Sequence, residues 1–324
     1  MNYDDVRRFV TEGRIVWTMT TIGYTKYTLN LSRWLTTIAK VPWTLCIVCC
    51  DKESEAFFRR ERVPYISWNG DKVRRTQDGM AAFGTPSFEK CNHQKLSILE
   101  WFCRNYSECG IEYSLYLDGD IVVRVDPWPL ILPEFTDVDM LFQCDCFNTL
   151  NHGPDLNCNN ICSGVIATRH IQAQAQTHTE IQGETETKGE TETKGETETK
   201  AEIQEQGEIQ EQEQEQAKAE IQREIQEKGE IQTKGEIQAN LYVWEPILWE
   251  SVSKQDQPFI ASRLVTTKTP YKILERRLFG NGAWMKAGTW KTEEWCLLHY
   301  NYLVSGSKRT ALKENGHWII EYQS

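Results

Sequence analysis

Apolar runs and amphipathic segments alternate along the first third of the chain. The runs IVWTMTT (residues 15–21) and TLCIVCC (residues 44–50) have the length and apolar content of buried strands. Between them, YTLNLSRWLTTIAK places apolar residues at helical spacing. A polar helix-like run then leads to a third short strand, VPYISW. The pattern predicts strand–helix–strand units, which are typical of a parallel sheet.

The same alternation continues beyond the third strand. FEKCNHQKLSILEWFC (residues 88–103) predicts a helix, and a strand ending at Asp118 follows it. DMLFQC and ICSGVIAT predict two further strands. We therefore expect an α/β domain whose mainly parallel sheet is flanked by helices, with ligands at the carboxyl ends of strands. Asp51 and Asp118 both fall at such ends.

Residues 172–238 form a low-complexity segment. GETETK occurs three times in succession, and variants such as AEIQEQ and GEIQTK follow. A six-residue period advances roughly 240° around a helix, so the isoleucines form no apolar stripe. We expect a disordered or lone polar helical insert between two parts of one domain, residues 1–171 and 239–324. A partner that binds the acidic repeat is the alternative function for this segment.

The charge of the chain is concentrated in this insert. Residues 172–238 contain 18 acidic and 7 basic residues, which accounts for the whole formal charge of −11. The remaining residues contain 29 of each sign. The globular part has no excess of basic residues, and the sequence therefore argues against nucleic acid as a partner.

The sequence has neither an N-terminal apolar run of signal-peptide length nor any 18-residue apolar stretch. This predicts no membrane span and a cytoplasmic location. Eleven cysteines without an export signal predict reduced thiols.

The segment YSLYLDGDIVVRVDPW (residues 113–128) places two acids at the end of an apolar strand. Carboxylates on either side of Gly119 can converge on Mg²⁺ or Mn²⁺ if the chain bends at the glycine. A solvated D-G turn is the alternative, but a surface turn rarely lies between LYL and IVV. The flanking residues therefore favour a metal site at Asp118 and Asp120.

YLDGDIVVRVDPWPLI resembles the metal-binding signature of GT-A glycosyltransferases, specifically the nucleotide-diphospho-sugar transferase family related to the family-77 enzymes. Further pieces match in order: FGTPSFEKCNHQKLSILEWF with Lys95, CNNICSGVIATR with Ser163 and Gly164, KQDQPFIASRL with Asp256 and Gln257, RLFGNGAW, and LLHYNYLVSGSKRTALKENGHW. The resemblance implies a Rossmann-like GT-A fold that is interrupted by the repeat insert.

The resemblance also implies site residues. Asp118, Asp120 and His299 would hold the cation, with the sugar-nucleotide diphosphate above Gly119 and the ammonium of Lys308 at the β-phosphate. From sequence alone, His299 also suits a half-buried structural histidine, and Lys308 a surface lysine.

Thr21, Tyr24 and Asp51 follow the first two strands, where this fold holds the base and ribose. Asp51 equally suits a helix cap. Lys95 would pair with Asp118 or with the diphosphate. Asp256 and Gln257 would face the transferred sugar or the acceptor.

The implied enzyme transfers a sugar from a UDP- or GDP-sugar to a glycan or glycoprotein acceptor, with a divalent cation and with retention of configuration. An inverting enzyme would need a carboxylate base, for which Asp145 and Asp256 are the candidates. The alternatives are another metal-dependent nucleotidyl or phosphoryl enzyme and a non-catalytic scaffold that works through the repeat.

Overall fold

The computed structural model describes residues 1–69, 86–146, 160–170, 256–291, 294–303 and 305–320. All of them belong to one unit, which comprises Met1–Gln172 and Ala239–Ser324. The predicted repeat insert lies outside the described residues. Its state and the predicted domain boundaries therefore stay predictions.

Seven strands form the central sheet of this unit: β1 (Arg14–Thr20), β2 (Cys46–Cys49), β3 (Tyr65–Ser67), β4 (Tyr113–Leu117), β6 (Met140–Cys144), β7 (Ile161–Arg169) and β8 (Tyr271–Ile273). Their order is β3-β2-β1-β4-β7-β6-β8. β1 pairs in parallel with β2 and β4, β2 with β3, and β6 with β8. β7 runs antiparallel to its neighbours β4 and β6. The predicted α/β fold with a mainly parallel sheet is confirmed.

Both faces of this sheet are buried, which explains the continuous apolar runs of its strands. Ile15 and Trp17 of β1 join one core cluster, whereas Val16 joins the other.

The helices of the described residues are α1 (Tyr3–Arg7), α2 (Thr25–Arg33), α3 (Lys52–Arg60), α4 (Pro86–Cys109), α5 (Trp128–Ile131), α6 (Asp256–Thr267), α7 (Gly282–Ala287) and α8 (Ser305–Glu314). No helix in these ranges has the length and apolar character needed to cross a bilayer.

A second, three-stranded sheet was not predicted. It consists of β5 (Ile121–Val123), β9 (Phe279–Gly280) and β10 (Leu297–His299), in the order β5-β10-β9. β10 runs antiparallel to β5, and His299 lies opposite Ile121. This pairing attaches a late segment of the chain directly after the LDGD turn.

Candidate active site

The LDGD turn is held by backbone contacts at the carboxyl end of β4. The amide of Asp118 donates to the carbonyl of Gly164 at 2.8 Å, and the amide of Ile121 donates back to the carbonyl of Asp118 at 3.2 Å. A Cβ atom at Gly119 would lie 2.8 Å from Oγ1 of Thr28. The φ angle of Gly119 is not among the positive ones. The glycine is therefore required by the close approach of α2, and not by a positive φ angle.

The three predicted metal ligands meet at this turn. Asp118, Asp120 and His299 each offer one ligand atom, and these atoms lie within 4.8 Å of one another. Nε2 of His299 is 3.5 Å from Oδ2 of Asp118 and 3.4 Å from Oδ1 of Asp120. His299 is 2% exposed, because β10 carries it into the interior beside Asp120. Two carboxylate oxygens and an imidazole nitrogen form a donor set that suits Mn²⁺ and also admits Mg²⁺.

Lys95 of α4 is buried between two acids. Its Nζ pairs with Asp256 and lies 3.7 Å from Oδ1 of Asp118. It also donates to the carbonyl and the hydroxyl of Ser163, at 3.0 and 3.3 Å. Burial alone would lower the pKa of Lys95, but Asp118 and Asp256 outweigh it and raise that pKa. Lys95 is therefore a fixed positive charge at the site, and the predicted contact with Asp118 is present.

Lys308 of α8 occupies the other side of the turn. Its Nζ lies 2.5 Å from Oδ2 of Asp120, and the residue is 8% exposed. Burial would raise the pKa of Asp120, but Lys308 and His299 outweigh it and hold that pKa well below its ordinary value. The alternative of a surface lysine is wrong for Lys308.

Asp145 and Gln257 form a separate cluster near the start of α6. Nε2 of Gln257 donates to Oδ2 of Asp145 at 2.6 Å. Oδ1 of Asp145 accepts from Nδ2 of Asn301 at 3.0 Å and from the hydroxyl of Tyr302 at 2.8 Å. Asp256 is instead paired with Lys95. The structure thus places Asp256 on the metal side and links Gln257 to Asp145.

The predicted nucleotide-binding residues lie beyond β1 and β2. Burial raises the pKa of the Tyr24 phenol, and the charges of Asp120 and Asp118 raise it further, so Tyr24 lies close to the acidic turn. Thr21 is 8% exposed at the end of β1. Asp51 caps α3, because its Oδ1 accepts a hydrogen bond from the amide of Ser54 at 2.6 Å. Its Oδ2 accepts a hydrogen bond from the amide of Ile22, which follows β1, at 2.9 Å. The cap is present, and a role of Asp51 in nucleotide binding stays a prediction.

Sequence reasoning missed three residues around the site: Gln143, Cys162 and Tyr302. Gln143 accepts from the imidazole of His299 with its Oε1 at 3.0 Å from Nδ1. The signal for Gln143 was an uncharged polar residue near the end of the otherwise apolar strand DMLFQC. A glutamine that is 0% exposed requires hydrogen-bond partners inside the protein, and these define its place.

The cysteines differ from the expectation at one position. Nine cysteines of the described ranges are free thiols, eight of them buried. Cys146, next to Asp145, is disulfide-bonded, so the expectation of reduced thiols is wrong for this residue.

The fold and the site define the class of protein. Open parallel sheets bind nucleotides at the carboxyl ends of their strands, and here that edge carries convergent acids, a histidine and two buried lysines. The model of the nucleotide-diphospho-sugar transferase family matches residues 44–312. The chain belongs to this family and is therefore a glycosyltransferase, which confirms the resemblance found in the sequence.

Solved glycosyltransferases resemble the chain at low sequence identity. A glycosyltransferase involved in glycosylation of the major capsid of PBCV-1 is 9% identical over 93% of this chain and 97% of its own, with a TM-score of 0.42. The galactosyltransferase LgtC, solved with donor and acceptor sugar analogs, is 9% identical over 94% of each chain, with a TM-score of 0.47. GlyE from Streptococcus pneumoniae is 13% identical over 95% of this chain, which spans 61% of the GlyE chain (TM-score 0.43). No curated protein sequence matches the chain.

Proposed function

We propose that this protein is a divalent-cation-dependent, retaining glycosyltransferase that uses a UDP- or GDP-sugar and a glycan or glycoprotein acceptor. The observation that carries the proposal is the convergence of Asp118, Asp120 and His299 between two buried lysines. Family membership supplies the nucleotide-diphosphate sugar as donor. Our proposal adds four features to what the family supplies: the cation, the base of the nucleotide, the stereochemistry and the acceptor.

The charges at the site suit a diphosphate. Asp118, Asp120 and Asp256 face Lys95 and Lys308, which leaves one negative charge when His299 is neutral. Asp118, Asp120 and His299 would hold the cation, and the bound cation would neutralise charge on the leaving diphosphate. With a divalent cation the site becomes net positive, which favours a diphosphate over a neutral ligand. Lys308 would then offer its ammonium to a phosphate oxygen.

Retention is supported by the partners of the two candidate base carboxylates. Both oxygens of Asp145 accept hydrogen bonds, from Gln257, Asn301 and Tyr302. Asp256 is paired with the ammonium of Lys95. A general base must reach the acceptor hydroxyl, and both carboxylates already hold hydrogen-bond or ion-pair partners within the protein. A reaction in which the leaving phosphate takes the acceptor proton requires no such base.

The cation site is tested by Asp120→Asn in a panel of UDP- and GDP-sugars with Mn²⁺. One of these sugar nucleotides should raise the thermal stability of the wild-type protein, but only in the presence of Mn²⁺. The wild-type protein should also hydrolyse or transfer that sugar. Asp120→Asn should abolish the Mn²⁺-dependent stabilisation, because it removes a charged ligand. Asp137→Asn, at an exposed position outside the site, provides the matched control. Unchanged donor affinity in Asp120→Asn would disprove the cation site, and NMR of the product's anomeric proton decides between retention and inversion.

A further inference from the structure

Gln143 lies at an irregular point of the central sheet. The register of β6 against β7 shifts between Phe142, which is opposite Ile166, and Gln143, which is opposite Cys162. The shift leaves Gly164 and its neighbours on β7 without a direct partner on β6. The Gln143 side chain is 0% exposed. Each of its polar atoms therefore needs a partner within the protein.

The surrounding carbonyls determine the orientation of the Gln143 amide. Its Nε2 lies 3.1 Å from the carbonyl oxygen of Phe279 and 2.8 Å from that of Gly280. Carbonyl oxygens only accept hydrogen bonds, so the NH₂ group must face them. The other end of the amide, Oε1, consequently faces Nδ1 of His299 at 3.0 Å.

This orientation also determines which nitrogen of His299 carries a proton. Oε1 of Gln143 only accepts, so Nδ1 of His299 must donate to it. In the neutral ring, Nε2 then has a free lone pair, and Nε2 is the atom that faces Asp118 and Asp120. The thiol of Cys162 is the second neighbour of Nδ1, at 3.5 Å, and sulfur is the weaker acceptor.

We infer that Gln143 is a positioning residue that fixes the ring orientation and the tautomer of His299 for binding of a divalent cation. The inference rests on the proposed function, because it assigns Gln143 to the same cation site. Gln143 is not one of the three candidate ligands. It acts through His299, and its two bonds to the backbone of β9 hold its own amide in place.

The inference is tested by Gln143→Met, which keeps the approximate size of the side chain but removes the acceptor. The probe is Mn²⁺ alone, and its affinity is measured by electron paramagnetic resonance in the wild type, Gln143→Met, His299→Ala and the double variant. Gln143→Met should lower Mn²⁺ affinity about 10- to 100-fold, the usual effect of losing a partner behind a metal ligand. In the His299→Ala background the same substitution should cause no further loss, because Gln143 acts through the imidazole.

Two further variants separate positioning from general support of the fold. Gln143→Glu restores an acceptor for Nδ1 but not the amide donors, so it should recover Mn²⁺ affinity relative to Gln143→Met. Asn281→Ser removes a hydrogen bond to β6, the strand that carries Gln143: the 2.9 Å bond from Nδ2 of Asn281 to the carbonyl of Cys144. The serine keeps a side-chain oxygen that can cap α7, as Asn281 does. It should leave Mn²⁺ affinity unchanged.

Equal loss of Mn²⁺ affinity from Gln143→Met with and without His299 would overturn the inference, and so would wild-type affinity in Gln143→Met. Both results would leave the proposed cation site standing. If the wild-type protein fails to bind Mn²⁺, the proposed cation site fails and the inference with it. The two failures are therefore distinguishable.

Discussion

Lys308 contributes a buried positive charge whose partner in the protein is a proposed metal ligand. Its ammonium lies 2.5 Å from Oδ2 of Asp120, and 8% of the residue is exposed. A buried ammonium requires a counter-charge, and Asp120 supplies one. A diphosphate bound at the same place would supply a second, as the proposed contact of Lys308 with the β-phosphate requires.

Lys308→Met should therefore weaken binding of UDP or GDP in the presence of Mn²⁺. A hydrogen bond to a charged group contributes about 1.5–3 kcal/mol, so we expect a loss of roughly 10- to 100-fold in affinity. Affinity for uridine or guanosine, which lack the diphosphate, should be unchanged. Isothermal titration calorimetry measures both. Lys313→Met, at an exposed position of the same helix, is the control. Equal loss for nucleoside and nucleotide would refute a diphosphate contact.

Gly164 determines how close His299 can approach the sheet. A Cβ atom at this position would lie 2.0 Å from Cε1 of His299, 2.6 Å from its Nδ1 and 2.8 Å from Oδ2 of Asp118. Side chains at such distances overlap, so the imidazole would have to move. The small residue in the segment CNNICSGVIATR is thus required by the packing of a proposed metal ligand.

We predict that Gly164→Ala lowers Mn²⁺ affinity by at least tenfold, because the displaced ring no longer faces both aspartates. The fold should persist, and circular dichroism checks this point. Gly306→Ala is the matched control, because a Cβ atom there meets nothing within 4 Å. Wild-type Mn²⁺ affinity in Gly164→Ala would show that His299 is not a ligand.

At the scale of elements, the pairing of β5 with β10 completes the site. β4 delivers the two aspartates, and β5 continues from them into a small sheet where β10 places His299 opposite Ile121. The sequence shows an apolar run directly after the turn, but the strand that pairs with it lies more than 170 residues further along the chain. No local pattern indicates such a partner, because the pairing depends on the packing of the whole unit.

The pairing of β4 with β7 buries a histidine that has no part in the site. Nε2 of His170 lies 3.2 Å from Oγ of Ser114 and 3.3 Å from Oγ1 of Thr168, and its ring stacks on Tyr106. Burial lowers the pKa of His170 to about 4, from an ordinary value of 6.5. The folded state therefore holds this imidazole neutral.

His170 should reduce stability in acid. Between pH 6.5 and pH 4 the unfolded chain takes up a proton at His170 and the folded chain does not, so the free energy of unfolding falls as the pH falls. A shift of this size corresponds to roughly 3 kcal/mol, fully lost near pH 4. Urea unfolding at pH 7 and pH 5 should show a smaller pH effect for His170→Gln than for the wild type. An identical pH effect in the two proteins would contradict the prediction.

At the scale of the whole molecule, the repeat segment and the rest of the chain differ in composition. The segment at residues 172–238 carries the entire excess of acidic charge, and every site residue named above lies in the unit formed by Met1–Gln172 and Ala239–Ser324. Loop insertions cost little free energy as they lengthen, since the entropy of closing a loop grows only with the logarithm of its length. The enzyme's chemistry is therefore expected to be independent of the repeat.

Replacement of residues 172–238 by a short Gly/Ser linker should change turnover of a soluble acceptor less than twofold. Steady-state transfer of the donor sugar measures this, and Asp120→Asn within the shortened protein provides the inactive reference. A large loss of activity in the shortened protein would mean that the repeat shapes the site. Loss of the cellular role with full activity retained would support a partner for the repeat.

The sequence by itself determined six strands of the central sheet (β1, β2, β3, β4, β6 and β7), the long helix α4 and the acidic turn after β4. These features depend on local patterns, since apolar runs and helical spacing are visible in single segments. The LDGD turn, together with the ordered pieces of family resemblance, also identified Asp118, Asp120 and His299 as one set. The proposal of a nucleotide-sugar enzyme was therefore available before any contact was known.

Only the tertiary structure decided how the site is supported. It showed that Gly119 and Gly164 are needed for close approach to Thr28 and His299, and that Lys308 is buried against Asp120. It also revealed Gln143 behind the histidine. Each of these contacts joins residues that are distant in sequence, and such contacts depend on how the elements pack together. A pattern within one segment cannot specify them.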